Sequence, residues 1–135
     1  GRALGLDGRR LELEALRPLD RSSVLLVPSN CHRRFDLTRF LGKTRSYGST
    51  AHHLALLAAG SVSGVLCSGG TRLWDISARR ALDGVRDCQA RHLDGRPLEL
   101  NAMLDGSPPG SPFLVTHPDH RAELSACIEP RGSDA

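Results

Sequence analysis

Two short polar groups in this chain have the residue types and positions best suited to chemistry. The first is Gly48-Ser49-Thr50, which precedes an apolar helical pattern, and the second is Asp75, which follows a glycine-rich loop. Each stands where a helix is expected to begin, and the first turn of a helix presents unpaired N–H groups and the positive end of its dipole. The pattern predicts a binding site for a phosphate-like anion, next to a carboxylate that could hold a cation. Plain helix capping by the same residues is the alternative.

The elements that must position these groups alternate between strand and helix patterns. Continuous apolar runs predict buried strands, whereas helices are marked by caps, by glycine ends and by a proline in a first turn. An α/β layered sheet is the architecture that this alternation favours. We predict strands at residues 23–27, 44–47, 62–67 and 113–116, helices at 30–41, 49–59, 75–82 and 118–128, and a hairpin within 90–100.

Length and composition describe one ordinary globular domain. The chain has 135 residues, 39% apolar residues and a net charge of +3. Basic residues cluster within residues 33–45 but are interrupted by Asp36. Nucleic-acid binding would need a longer basic stripe with stacking aromatics and is therefore not expected. No apolar run approaches the length of a membrane span, and no signal peptide is recognised, so we expect no membrane partner and a cytoplasmic location.

The cysteines and histidines show no spacing that is typical of a metal site. No two of the four cysteines form a CxxC pair, so free, mostly buried thiols in a reducing compartment are expected. His52 and His53 are adjacent and point about 100° apart on a helix, which excludes a paired ligand set. His117 and His120 would need further ligands to bind zinc. A serine-hydrolase elbow and a Walker phosphate loop are both absent from the sequence.

The N-terminal residues predict a hairpin that needs a partner to pack on. Asp7-Gly8 is a hairpin-type turn between two short runs, and an isolated hairpin is marginal. We therefore divide the chain into a remnant hairpin at residues 1–21, an α/β domain at 22–129 and a flexible tail at 130–135. The expectation is that the segment on which the hairpin packs is missing and that this chain is a fragment.

Taken together, these motifs resemble the C-terminal half of the inositol monophosphatase family. The resemblance rests on the order of a strand, an Arg45-Ser-Tyr-Gly48-Ser49-Thr50 turn and a helix ending in Ala-Ala-Gly. After these come a strand, Trp74-Asp75 and a Leu-Asp-Gly-Arg-Pro-Leu hairpin. It covers residues 3–128 and implies a mixed sheet flanked by helices, as in the C-terminal domain of the layered sugar phosphatases.

The resemblance also implies a chemistry and a site. Members of this family are magnesium-dependent phosphatases of inositol and sugar phosphates, and they are often dimers. By position, Asp75 would be a ligand of Mg²⁺, whereas Gly48, Ser49 and Thr50 would contact the phosphorylated substrate. A hard cation such as Mg²⁺ takes carboxylate oxygen, and bound metal ions activate water for hydrolysis of a phosphate monoester. Trp74 is expected to pack beneath the loop.

A departure from the family pattern predicts that this chain alone is not an active enzyme. The other metal ligands of the family, a glutamate and an Asp-Pro-x-Asp-Gly-Thr signature, belong to its N-terminal half and do not occur here. Ser68 also stands where many members have a glutamate. With the water-activating half absent, we expect no catalytic residues and no turnover. The alternative is a non-catalytic remnant that acts as a binding or interaction module, with an exposed hairpin edge pairing with a partner.

Overall fold

The computed structural model describes residues 16–76 and 87–132. In these parts of the chain, short strands alternate with helices, as the sequence predicts. The strands are β1 (Val24–Leu26), β2 (Phe35–Asp36), β3 (Lys43–Arg45), β4 (Gly64–Cys67), β5 (Gln89–His92), β6 (Phe113–Thr116) and β7 (Glu129–Pro130). The helices are α1 (Cys31–Arg34), α2 (Thr50–Ala58), α3 (Leu73–Ile76) and α4 (Pro118–Cys127), with a 3-10 turn at Leu100–Met103.

The main sheet has five strands in the order β3-β1-β4-β6-β5. Strand β1 lies parallel to both β3 and β4, whereas β6 runs antiparallel to β4 and β5. The strand β1 is at the centre of the parallel part, and its Leu25 and Leu26 are completely buried. The predicted mixed sheet flanked by helices is confirmed.

Two hydrophobic clusters cover the two faces of this sheet. One contains Leu26 of β1 with Leu54 of α2 and Ile76 of α3. The other contains Leu25 of β1 together with residues of α1 and α4, and also Ile128, which precedes β7. Because successive strand residues point to opposite faces, β1 contributes to both clusters. Helices α2 and α3 therefore share one face, which we call the α2 face, and α1 and α4 share the other, the α4 face.

One predicted helix is much shorter than expected. The sequence predicts a helix over residues 30–41, but α1 ends at Arg34 because the next two residues leave helical geometry and form β2. Strand β2 pairs antiparallel with β7, so that Phe35 lies opposite Pro130. The boundary expected at residue 130 thus falls within β7. The side chains of Phe35 and Phe40 are both buried.

Several predictions fall on residues outside the described ranges. These are the hairpin around Asp7-Gly8, most of the helix expected at 75–82, and the end of the tail. The hairpin predicted after residue 90 is described: Asp94-Gly95 forms its turn, and His92 N–H donates to the carbonyl of Arg96 at 2.8 Å. Among the described residues, no helix is both long and apolar enough to cross a membrane.

Candidate functional site

The candidate site lies along one edge of the main sheet. Because β1, β3 and β4 are parallel, the loops that follow them leave from the same edge, which we call the carboxyl edge. Strand β6 begins and β5 ends at this edge, since Phe113 pairs with both Cys67 and His92. Ligands of open α/β sheets bind outside the carboxyl ends of parallel strands.

The turn after β3 places the predicted anion-binding residues at the start of α2. Gly48 adopts a φ of 75°, a left-handed conformation that favours glycine, and an added Cβ would meet nothing within 4 Å. Ser49 is the extended N-cap residue, and its Oγ accepts a hydrogen bond from His52 N–H at 3.3 Å. Thr50 is the first residue of the helix. The first turn of α2 therefore lies at the carboxyl edge, and the positive end of the helix dipole is at this edge.

A buried histidine holds this turn. The ring of His53 accepts a hydrogen bond from Tyr47 N–H at its Nε2, with a separation of 3.0 Å. Burial, and to a smaller extent the neighbouring His52, lowers the pKa of His53. Neutral His53 can accept this bond, whereas the protonated ring would have only donors. The residue that positions the turn is thus a histidine that the sequence pattern did not distinguish from a surface one.

We expect the stability of the folded chain to fall as His53 becomes protonated. Its pKa lies below the ordinary value of 6.5 in the folded chain, so the unfolded chain binds more protons at intermediate pH. The contribution of His53 to the free energy of unfolding is complete above about pH 6.5 and declines as the pH drops towards the lowered pKa. Urea unfolding of the wild type and of His53→Gln at about pH 7.5 and about pH 5.5 measures this. Glutamine keeps an acceptor that does not titrate, so equal losses in the two proteins would contradict the prediction.

The loop after β4 is held by short-range and long-range hydrogen bonds. Thr71 is buried, and its hydroxyl donates to the carbonyl of Ser68 at 2.8 Å. Gly110 N–H donates to the carbonyl of Gly69 at 3.1 Å, and a Cβ on Gly69 would lie 3.0 Å from the Gly110 backbone. Glycine at position 69 therefore permits a close approach of two loops at the carboxyl edge.

Asp75 lies inside the first turn of α3 and helps to cap it from the third helical position. The helix begins at Leu73, and the Asp75 Oδ2 accepts a hydrogen bond from Arg72 N–H at 3.4 Å. The helix that was expected to start at Asp75 therefore starts two residues earlier. Its negative charge contributes, after burial, to the raised pKa of the Cys67 thiol at the end of β4. The carboxylate is therefore near the carboxyl edge.

The chemistry of Asp75 suits a hard cation, although the described residues supply few partners for it. The side chain is half-buried and forms no ion pair within residues 16–76 and 87–132. A carboxylate oxygen is a ligand that Mg²⁺ prefers. In the same ranges, no group of three or more His, Cys, Asp or Glu side chains could hold a metal ion. Asp75 thus fits one position of a magnesium site and leaves the others to water, a ligand or other residues.

Trp74 does not pack beneath the loop as the sequence predicts. Its residue is 66% exposed. Within α3, the residue that packs on the α2 face is Ile76, which lies two positions after Trp74 and is completely buried. The prediction is wrong because Ile76, and not Trp74, takes the buried side of this helical turn.

A crevice between β1 and β3 is a part of the edge that the sequence analysis missed. The helix after β1 lies on the α4 face and the helix after β3 lies on the α2 face, so the connections diverge here. A cavity of about 470 Å³ opens at this place, and its walls include Ser29, Arg45 and Ser46. The side chain of Arg45 donates to the adjacent carbonyl of Thr44 at 2.8 Å. Ligands commonly bind where the connections after neighbouring strands leave to opposite faces of a sheet. This position depends on the order of the strands in the sheet, which the sequence patterns do not contain.

The structure thus brings the predicted residues to the same side of one edge. Gly48, Ser49 and Thr50 begin α2, Asp75 lies in α3, and these two helices contact each other over the α2 face. Their roles in binding stay predictions. The arrangement offers hydrogen-bond donors to an anion and one carboxylate to a cation.

Comparison with known proteins gives a relationship at the level of the fold. No family model matches the sequence, and no curated protein matches it. Solved structures do match. An inositol monophosphatase family protein from Staphylococcus aureus has a TM-score of 0.66 and 16% sequence identity, and the match covers 90% of this chain and 45% of that protein.

Two other solved structures give the same result. A dual specific IMPase/NADP phosphatase bound with D-inositol-1-phosphate has a TM-score of 0.66 at 16% identity, covering 90% of this chain and 44% of its own. An IMPase/NADP phosphatase complexed with Mg²⁺ and phosphate has a TM-score of 0.67 at 16% identity, with the same coverages of 90% and 44%. This chain shares their fold and spans less than half of their length, which is consistent with a C-terminal half.

Proposed function

We propose that this chain provides the substrate-binding turn and one metal ligand of a magnesium-dependent phosphomonoesterase that acts on inositol or sugar phosphates. The observation that carries the proposal is the placement of the Gly48–Thr50 turn and Asp75 on adjoining helices at one sheet edge. Support also comes from the shared fold, because one matching structure holds D-inositol-1-phosphate and another holds Mg²⁺ and phosphate.

In this proposal the turn binds the phosphorylated substrate. Gly48 keeps the approach to the backbone open because no side chain stands there, and the N–H groups of the first turn of α2 donate to phosphate or hydroxyl oxygens. The Ser49 hydroxyl adds a further polar contact. The Tyr47–His53 hydrogen bond fixes the backbone that leads into the turn. These residues orient the substrate and carry out no proton transfer.

Asp75 would hold Mg²⁺ together with oxygen ligands from outside the described residues. When bound, Mg²⁺ supplies an activated water and neutralises charge on the phosphate. A single carboxylate does not position both the attacking water and the leaving oxygen. We therefore propose that the chain alone binds substrate but does not hydrolyse it, and that hydrolysis requires additional metal ligands from a further polypeptide segment.

Binding and turnover can be measured on the same protein preparation. Nuclear magnetic resonance titration with inositol 1-phosphate is expected to shift the amide signals of Gly48, Ser49 and Thr50. Ser49→Ala should raise the Kd about five- to tenfold. A hydrogen bond to a charged group contributes about 1.5–3 kcal/mol, and the expected loss lies at the lower end of this range because the backbone donors of the turn are unchanged. A phosphate-release assay with Mg²⁺ should show no turnover above buffer.

Ser61→Ala is the matched control, because Ser61 follows the opposite end of the same helix. It should leave the Kd for inositol 1-phosphate unchanged. Equal weakening by both variants, or no shift at the turn, would contradict the substrate-binding role. Turnover by the pure chain that Asp75→Asn abolishes would overturn the claim that the chain is inactive alone and would leave the substrate-binding role intact.

A second candidate function is a non-catalytic interaction module. The specific observation in its favour is the exposure of large apolar side chains, with Trp74 66% and Leu104 71% exposed. Contiguous exposed apolar patches are used for association, and this candidate function requires the two side chains to belong to one such patch. Sedimentation velocity at increasing concentration tests it: a wild-type dimer that Trp74→Ser dissociates would favour this function, and a concentration-independent monomer would argue against self-association.

A further inference from the structure

A second cavity, with an apolar floor and several charged residues in its walls, lies on the α4 face of the sheet and shares no residue with the Gly48–Thr50 turn or Asp75. Its volume is about 370 Å³, and it is bounded by the end of β5, the start of β6 and the β2–β7 pair. A volume above about 300 Å³ is typical of small-molecule sites. Its walls comprise Arg34, Phe35, His92, Leu93, Asp94, Arg96, Ser111, Pro112, Pro130, Arg131 and Gly132.

The wall residues of this cavity carry a net positive charge. Three arginines line it, and Asp94 is the one carboxylate among its wall residues. Asp94 is already paired with Arg96, whose Nε lies 2.7 Å from its Oδ2. Arg131 donates from Nε to the carbonyl of Phe35 at 3.3 Å, which leaves its terminal nitrogens for other partners. The guanidinium of Arg34 forms no hydrogen bond or ion pair within the described residues.

The long-range contacts of the C-terminal segment bring the two arginines together. Arg34 ends α1, and Arg131 follows β7, far away in sequence. Arg131 N–H donates to the carbonyl of Arg34 at 2.7 Å, which continues the β2–β7 pairing by one residue. Both residues line the cavity, so their two guanidinium groups can act on one anion there.

A buried histidine and a serine contribute polar groups to the walls of the same cavity. His92 is 8% exposed, and its Nδ1 lies 2.7 Å from Ser111 Oγ and 3.2 Å from the Pro112 carbonyl oxygen. The carbonyl can only accept, so we assign the proton to Nδ1, which then donates to both oxygens. The hydroxyl proton of Ser111 is then available to a ligand in the cavity.

We propose that this cavity binds a small phosphate-bearing anion. Arg34 and Arg131 neutralise its charge with directed N–H groups, and the Ser111 hydroxyl donates a further hydrogen bond. Guanidinium groups match the oxygens of phosphate in pairs. The ratio of three arginines to one paired carboxylate favours a multiply charged anion over a neutral sugar. The site is independent of the proposed function, because none of its residues lies in the Gly48–Thr50 turn or in α3.

The test is a nuclear magnetic resonance titration of the 135-residue chain with inorganic phosphate at low ionic strength. Amide signals of Leu93 and Ser111 report this cavity, and that of Ser49 reports the turn, so each Kd is obtained separately. Arg34→Gln is expected to raise the Kd at Leu93 and Ser111 about tenfold, the scale of one charge-assisted hydrogen bond. Arg131→Gln should act in the same direction.

Arg33→Gln is the matched control, since Arg33 precedes Arg34 on α1 but does not line the cavity. It should change the Kd less than twofold by loss of long-range attraction alone. Among the described residues the Arg34 side chain forms no hydrogen bond that its replacement would break, so we expect the fold to be retained, and circular dichroism verifies this. The proposal is overturned if phosphate shifts neither Leu93 nor Ser111, or if Arg33→Gln and Arg34→Gln weaken binding equally.

Discussion

Replacement of Gly42 by alanine is expected to destabilise the folded chain by about 3 kcal/mol or more, a severe case of overpacking. A Cβ at this position would lie 2.2 Å from the carbonyl oxygen of Ser23 and 2.8 Å from the ring of Phe40. The first neighbour is backbone and cannot rotate away. The Ser23 oxygen also accepts the Lys43 N–H hydrogen bond at 2.8 Å. Relief of the clash therefore separates β3 from β1 and disturbs the turn that β3 leads into.

Equilibrium unfolding in urea measures this loss, provided that the slope of free energy against denaturant is unchanged. Gly70→Ala is the matched control, because its added Cβ would meet only Ser68 Oγ, at 3.9 Å. We expect the control to change the free energy of unfolding by less than about 0.5 kcal/mol. A Gly42→Ala midpoint equal to that of the wild type would show that the β1–β3 contact is looser than described.

Leu54→Ala is expected to cost about 2–5 kcal/mol, the range for a buried leucine truncated to alanine. The Leu54 side chain is completely buried in the cluster that joins α2 to β1 and α3. A loss of this size is a large part of the stability of a small domain. Because α2 carries Ser49 at its N-terminus, we also expect weaker binding of inositol 1-phosphate by the fraction that stays folded.

Leu56→Ala removes the same number of atoms from the same helix at a partly buried position. It should cost clearly less, and the difference between the two variants gives the contribution of burial at constant helix propensity. Equal losses of free energy in Leu54→Ala and Leu56→Ala would contradict the orientation of α2 on the sheet. Urea unfolding monitored by circular dichroism provides both values.

The local elements of the fold follow from the sequence because their signals are local. Ser49 caps α2, and Gly60 follows its end with a φ of 80°, as the cap and glycine pattern predicts. Strand β6 has the predicted bounds because its apolar run is buried on both faces. The helix expected at residues 30–41 failed at Phe35, since the strand partner Pro130 lies at the other end of the chain. A window of neighbouring residues holds no information about that pairing.

The candidate site was predictable in its residue types and only partly in its geometry. The turn at Gly48 and the carboxylate of Asp75 were identified from helix-start patterns, although the start of α3 was misplaced because helix boundaries are the least defined feature of such patterns. The role of His53 was hidden, since its bond to Tyr47 requires the turn to fold back on α2. The pairing of Arg34 with Arg131 depends wholly on tertiary structure.

The most direct test of the central claim is the magnesium dependence of inositol 1-phosphate binding, measured by calorimetry. If Asp75 and the bound phosphate ligate the same ion, saturating Mg²⁺ should lower the Kd about tenfold, a coupling of about 1.4 kcal/mol. Asp75→Asn keeps the side-chain size and should abolish the coupling, whereas Asp119→Asn, on the exposed first turn of α4, should retain it. A Kd that does not respond to Mg²⁺, or a response that survives in Asp75→Asn, would contradict the account.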